Sequence, residues 1–220
     1  GHKEITDLLL ANGADVNASG DGWAPLPLAA HNGYKEVVYL GQTVNAYRDG
    51  GVDFGRLLHQ TAQIEGIERI RFTSPHPSDM DDSAIDAMAA CSKVAPYLHL
   101  PLQAASNRVL ARMERGYTVE AYAALVDRLR EAMPNLALST DIIVGFPGET
   151  DADFEELLLF VEESRFDRLG VFRYSDEDGT AAASLGGKVP SASCHWKILR
   201  RGNMFTLCLK NIDHRPSKSA

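Results

Sequence analysis

Apolar positions along this chain fall into short β-rich runs that alternate with stretches of helical spacing. The runs are Glu36–Leu40, Arg69–Thr73, Tyr97–Leu102, Leu136–Val144 and Arg168–Arg173. The helical stretches are Phe54–Glu65, Asp81–Ala90, Ser106–Glu114, Val119–Met133 and Asp153–Ser164. Such alternation predicts an α/β fold with a parallel sheet, because parallel neighbours need a helix-length return between them. Leu136–Val144 is mostly apolar and β-branched, the pattern of a strand covered on both faces.

That strand runs straight into the most informative words of the chain, Ser139-Thr-Asp-Ile-Ile-Val-Gly-Phe-Pro-Gly-Glu-Thr150. Gly145, Pro147 and Gly148 force a sharp turn in which backbone can approach a ligand closely. Thr150 is placed to cap a helix that starts near Asp151. Strand ends of this kind are where α/β folds receive ligands. A phosphate loop would carry a Lys and leave its helix start open to an anion. Here Glu149, Asp151, Asp153, Glu155 and Glu156 crowd the first turns. They suit the helix dipole but repel phosphate, so a neutral or cationic ligand is expected. A plain strand-to-helix turn is the rival reading for this segment taken alone.

Other words bracket the turn in a fixed order. They are Gly33-Tyr-Lys-Glu-Val-Val-Tyr-Leu-Gly-Gln-Thr-Val-Asn-Ala-Tyr47, Ile67-Glu-Arg-Ile-Arg-Phe-Thr-Ser-Pro-His-Pro77 and Tyr97-Leu-His-Leu-Pro-Leu-Gln103. Val109-Leu-Ala-Arg-Met-Glu-Arg-Gly-Tyr-Thr118 follows, and then, beyond the turn, Phe166-Asp-Arg-Leu-Gly-Val-Phe-Arg-Tyr-Ser175 with Gly179-Thr180. In this order and spacing they resemble the radical-SAM methylthiotransferases across roughly residues 33–190. The resemblance implies the open six-stranded β/α barrel of radical-SAM enzymes, of which five strands are present. It implies S-adenosylmethionine and 4Fe-4S clusters as the family's cofactors. It also implies a cytoplasmic enzyme that methylthiolates either the adenosine beside a tRNA anticodon or an aspartate of a ribosomal protein. Leu-Gly-Gln-Thr-Val-Asn-Ala-Tyr and Thr-Ser-Pro-His-Pro favour the tRNA branch, whereas the words from Phe166 and Asp176-Glu-Asp-Gly-Thr lean to the other.

The candidate cofactor-binding residues are Gln103, Asp141, Gly145, Gly148, Phe172 and Tyr174, and the candidate substrate-binding residues are Ser74, His76, Arg108 and Arg112; for Gln103 the resemblance implies contact with S-adenosylmethionine or substrate. Gln103 ends a strand, where a polar group has little structural reason to stand. Asp141 lies inside an apolar strand, where a carboxylate must be paired or protonated, for a ligand or for a structural ion pair. Ser74, His76 and Ser78 either line the mouth or shape the loop. Phe172 and Tyr174 hold adenine, with core packing the rival for Phe172. Arg108, Arg112 and Arg115 form a basic stripe that either touches an RNA backbone or is a solvated face near Glu114 and Glu131.

A radical-SAM cluster needs three cysteines close together, usually C-x3-C-x2-C, because soft thiolates hold its irons. The three cysteines here, Cys91, Cys194 and Cys208, are scattered. No cluster is therefore expected on this chain as given, and no catalytic residue or metal ligand is assigned. Cys194, His195, Cys208 and His214 do not have zinc-site spacing either.

Where the first β/α unit would stand, Gly1-His-Lys-Glu-Ile-Thr-Asp-Leu-Leu-Leu-Ala-Asn-Gly-Ala-Asp-Val-Asn-Ala18 resembles the end of an ankyrin repeat. Gly22-Trp-Ala-Pro-Leu-Pro-Leu-Ala-Ala-His-Asn-Gly33 resembles the start of the next, with glycine-led words 32 residues apart at Gly1 and Gly33. Gly33–Val38 fits both patterns, as helix in a repeat and as loop plus strand in a barrel. Tyr39-Leu-Gly-Gln-Thr fits only the barrel, so Glu36–Leu40 reads as strand. The expected organisation is an ankyrin-like helical fragment over residues 1–35, a partial barrel over 36–190 and a basic tail over 191–220. An ankyrin-type protein-binding module is the reading from another class, since the fragment offers a protein partner a surface.

Charge bears on partners. The net charge is −8 over 220 residues, but residues 191–220 hold six Lys or Arg against one acid. The remainder carries 16 basic and 29 acidic residues, which makes it a poor non-specific binder of nucleic acid. No apolar run is long enough to span a membrane. The absence of an initiating Met or a secretory signal suggests a fragment, and the few unpatterned cysteines suggest a reducing compartment.

Overall fold

A computed structural model of the chain describes residues 29–177 and 179–189. The ankyrin-like words before residue 29, and Cys194, His195, Cys208, His214 and the basic tail, lie outside the described residues. The chain divides into two compact units, whose described parts are residues 29–101 with 119–138, and residues 102–118 with 139–189.

In the first unit, β1 (Glu36–Tyr39) pairs in parallel with β4 (Arg69–Phe72), Glu36 facing Arg69 and Tyr39 facing Phe72. This settles the shared words at the junction: residues 36–39 are strand, as the barrel pattern demands. Val37, Tyr39 and Ile70 bury one face, while Glu36 reaches Arg69 at 3.0 Å on the other. Between them, β2 (Arg48–Asp49) and β3 (Val52–Asp53) make a small antiparallel hairpin that the apolar pattern did not reveal. Its cue is Gly50-Gly51, both at positive φ, the backbone a tight two-residue hairpin turn requires.

Helix α1 (Phe54–Ala62) starts at Asp53, whose side chain accepts from the Arg56 N–H. Phe54 is fully buried and meets Phe72 edge-to-face at 5.0 Å and Tyr39 at 6.3 Å. Helix α2 (Asp82–Ala90) is capped in the same way by Asp81. The two helices approach at Gly55, where an added Cβ would fall on the Ser83 carbonyl. Strand β5 (Tyr97–His99) is shorter than the expected Tyr97–Leu102. Pro101 has no N–H to continue a ladder.

Helix α3 (Asn107–Arg112) belongs to the second unit and ends earlier than the expected Glu114. Glu114 takes a left-handed φ of 55°, and the Arg115 N–H reaches back to the Leu110 carbonyl, a Schellman-type stop. Helix α4 (Val119–Ala132) returns to the first unit and buries Tyr122, whose hydroxyl donates to the Leu100 carbonyl at 2.7 Å.

Strand β6 (Ala137–Val144) pairs in parallel within the second unit with β7 (Arg168–Arg173), and α5 (Asp151–Ser164) makes the crossover. Thr150 caps α5 as expected. Its hydroxyl accepts from the Asp153 N–H while the Asp153 carboxylate accepts from the Thr150 N–H, a reciprocal capping box. Leu138, Thr140, Ile142 and Leu169 are almost wholly buried. The alternate positions Asp141, Ile143, Gly170 and Phe172 form a less buried face. Mixed α/β architecture with parallel pairs joined by helices is thus what the alternation predicted.

Candidate functional site

The second unit gathers most of the residues expected at a cofactor site around the end of β6. Gln103 lies beyond β5 rather than at its end, and it bridges to Ile142. Its N–H donates to the Asp141 carbonyl at 2.9 Å, and its carbonyl accepts from the Ile143 N–H at 2.8 Å. The preceding Leu102 is held as firmly, its N–H on the buried Thr140 hydroxyl at 2.8 Å and its carbonyl under the Tyr117 hydroxyl at 3.0 Å. Burial drives the Tyr117 hydroxyl up to about 12, against the nearby Arg115 charge, so it stays a donor. These four bonds enforce a φ of 68° on Gln103. A non-glycine residue there is strained, and such strain persists where surroundings over-determine it, most often at functional sites.

Asp141 stands opposite Gly170 in register. A Cβ at 170 would land on the Asp141 carboxylate and crowd the Phe172 ring, so the missing side chain is what admits the carboxylate beside the ring. Gly170→Ala is therefore expected to lower stability by roughly 1–3 kcal/mol, and the loss should shrink in an Asp141→Ala background. Urea denaturation of the four proteins in this cycle measures it; equal losses in both backgrounds would refute the steric account.

The turn after β6 has the left-handed glycines the sequence called for, Gly145 at φ 76° and Gly148 at 86°. Its groups are engaged within the chain. The Gly145 N–H donates to the Glu149 carboxylate. Burial pushes the Glu149 carboxyl up, the backbone of Gly145 and Phe146 opposing it. The Gly148 N–H donates to the Gly187 carbonyl at 2.7 Å, and the room above Gly148 is filled by the Arg112 side chain. Tyr174 continues from β7, its N–H on the Val144 carbonyl at 2.9 Å and its ring edge-on to Phe146 at 5.2 Å.

The two arginines expected to meet substrate are tied to this turn instead of standing as an open stripe. Arg108 pairs with Asp153. Arg112 Nε donates to the Pro147 carbonyl at 2.9 Å, and a terminal nitrogen donates to the Gly186 carbonyl at 3.1 Å. Asp153, almost buried, collects Ser106, Thr150 and Arg108. Sequence reasoning singled out none of Ser106, Tyr117, Thr140, Glu149 and Gly170 as site residues. Only Glu149 and Gly170 carried a cue, an acid after the turn and a glycine inside a strand.

Ser74 and His76 belong to the first unit. Ser74 is exposed with a left-handed φ of 53°. His76 is clamped by Asn45, which is fully buried. The Asn45 amide donates to the His76 carbonyl at 2.9 Å, and its oxygen accepts from the His76 N–H at 2.8 Å. That clamp joins two of the sequence words and favours the loop-shaping reading for His76.

A model of the Radical SAM superfamily matches residues 27–161. The chain belongs to the radical SAM superfamily. A second family model, for ankyrin repeats in many copies, matches residues 1–40. This radical SAM chain is 48% identical over 177 residues to the tRNA-2-methylthio-N(6)-dimethylallyladenosine synthase of Kineococcus radiotolerans, covering 78% of this chain and 34% of that protein. The synthase of the same name from Mycolicibacterium gilvum is 45% identical over 183 residues, covering 79% and 36%. That of Thermoanaerobacter sp. is 48% identical over 174 residues, covering 78% and 37%. The chain spans about a third of the length of these relatives. In fold it is similar to coproporphyrinogen III oxidase of Escherichia coli, a radical SAM enzyme, with a TM-score of 0.54 at 19% identity over 83% of this chain and 39% of that one. A methylornithine synthase gives 0.52 at 15% identity over 75% and 48%.

Radical SAM proteins as a family use S-adenosylmethionine and a 4Fe-4S cluster. Among the described residues of this radical SAM chain, Cys91 is the only cysteine. No group of three or more His, Cys, Asp or Glu there is arranged to hold a metal ion. The described residues do not fit the cluster. Asp141 and the Phe172 ring lie beside each other at Gly170, in the same unit as the Gly145 turn.

Proposed function

We propose that this chain is the S-adenosylmethionine-receiving α/β part of a tRNA methylthiotransferase. The whole protein would act in the cytoplasm on the adenosine beside the anticodon. The observation that carries the reading is Gln103, held left-handed by four hydrogen bonds beside Asp141 at the strand leading into Gly145. The relatives' names supply the reaction class. In this reading Gln103 and Asp141 bind polar groups of the cofactor, the Gly145 turn lies along it, and Phe172 and Tyr174 flank its adenine. Gly148 sets the turn's shape. The expected domain limits remain 1–35, 36–190 and 191–220.

The cluster's chemistry, reductive cleavage of S-adenosylmethionine, requires thiolates that the described residues do not supply, so no step is derived through it. Anaerobic reconstitution with iron and sulfide is expected to leave near-zero iron on the chain as given. Its affinity for S-adenosylmethionine should be measurable but low, since the methionine end normally ligates an iron. Saturable binding by calorimetry that Asp141→Ala and Gln103→Gly both weaken supports the site. Uptake of about four irons with cofactor cleavage would overturn the expectation for this chain. Absence of any binding would overturn the site.

The match of residues 1–40 to ankyrin repeats supports a second reading, a protein-binding N-terminal surface. Further repeats in the gene upstream of residue 1 would favour it, whereas a cysteine triad there would favour the enzyme.

A further inference from the structure

The residues that follow β7 turn back onto the Gly145–Glu149 turn as a strap, described at 174–177 and 179–188, and two fastenings hold it. At the near end the Tyr174 hydroxyl donates to Asp176 at 3.0 Å, and Asp176 pairs with Lys188 at 2.6 Å. At the far end Gly187 accepts the Gly148 N–H, and Arg112 donates to Pro147 on the turn and to Gly186 on the strap. One guanidinium thus joins three separate segments: α3, the turn and the strap. The fit is close, for a Cβ on Gly148 would press into that guanidinium, and a Cβ on Gly187 would stand 3.3 Å from the Gly148 backbone.

We propose that Arg112 is a positioning residue, a clasp that binds the strap to the turn and fixes the turn in its ligand-receiving form. This rests on the reading of that turn as the S-adenosylmethionine site, and it replaces the expectation that Arg112 contacts an RNA backbone. Arginine suits the task because its planar fork offers donors in two directions at once and stays charged at every relevant pH. Lysine is a point charge that reaches one carbonyl well and the other poorly. The turn's two glycines at positive φ are conformationally free residues, so without the clasp its backbone has other states to occupy. Ligand affinity then falls by the fraction of time the turn is out of place.

The test uses the full chain and two readouts. Amide hydrogen exchange should show Arg112→Ala losing protection at least tenfold at Gly148 and along the strap. Protection in α4 of the first unit should be unchanged. Calorimetry with S-adenosylmethionine should show affinity reduced roughly tenfold, with Arg112→Lys falling between Ala and the parent. Lys188→Ala, which loosens the strap without touching the clasp, should move both readouts the same way by less, and it decides the matter if Arg112→Ala does not fold. Unchanged local exchange, or exchange raised equally across both units, overturns the clasp. Unchanged affinity with raised local exchange overturns its role in positioning. A parent chain that binds no S-adenosylmethionine refutes the assigned site, and the exchange readout then still decides whether the clasp exists.

Discussion

Asp153→Ala is expected to be among the most damaging single substitutions in the second unit, costing roughly 2–3 kcal/mol through the lost helix cap and the buried Ser106 bond, the half-exposed Arg108 being solvated. The carboxylate accepts from the Ser106 hydroxyl at 2.6 Å, the Thr150 N–H at 2.7 Å, the Thr150 hydroxyl at 2.5 Å and Arg108. Removing it leaves Ser106, which is 5% exposed, and an arginine facing an empty space, and it unmakes the capping box of α5. Burial pushes the Asp153 carboxyl up, but the bonds from Ser106, Thr150 and Arg108 outweigh burial and bring it to about 2, below the usual 3.8. A depressed acid stabilises the fold above its unfolded value, and that contribution disappears as pH falls from 3.8 through about 2. Asp153→Asn keeps the shape and loses the charge, so its stability should change less than the parent's across that window. Urea denaturation at a series of pH values measures this, and parallel curves for the two proteins would contradict it.

Gly55→Ala should destabilise the first unit by roughly 3 kcal/mol, and Gly55→Val by more. Helical glycine is ordinarily worth about 1 kcal/mol less than alanine, so an open site would show the opposite sign. Here the new Cβ would meet the carbonyl carbon and oxygen of Ser83, which are backbone and cannot swing aside. Helices α1 and α2 would have to separate, and Phe54, Leu58, Ala84 and Ile85 would lose contacts they now make while 0–4% exposed. Gly186 has open space around its Cβ position and is the control. Thermal denaturation of Gly55→Ala and Gly186→Ala gives the comparison, and equal midpoints would defeat the argument.

Much of the architecture was legible because its signals are local. The alternation of apolar runs and helical spacing located all five expected strands and helices, and the glycines and Thr150 defined the turn and the start of α5. Hydrophobic period and turn chemistry act within a few residues, so one chain segment carries the whole message. Segment ends were less legible. Pro101 shortened β5, and the left-handed Glu114 shortened α3, although the first of these was written in the sequence. The hairpin at Arg48–Asp53 was missed because two-residue strands carry no period.

The site divides the same way. Its proposed place at the end of β6 is read from the sequence, since the turn glycines and the words around them belong to one short stretch. Its partners are not. Gly33–Val38 alone fits helix or strand, and the neighbouring Tyr39–Thr43 read it as strand, but its partner Arg69–Phe72 is set only by the fold. Which acid meets which arginine depends on registers set far along the chain: Asp153 on Ser106 and Arg108, Asp141 over Gly170. Arg112 read as one of three arginines on a helix face. The fold spent it on two carbonyls, at Pro147 and Gly186, because an arginine brought beside unpaired backbone oxygens is held there by charge-assisted hydrogen bonds that no local pattern encodes.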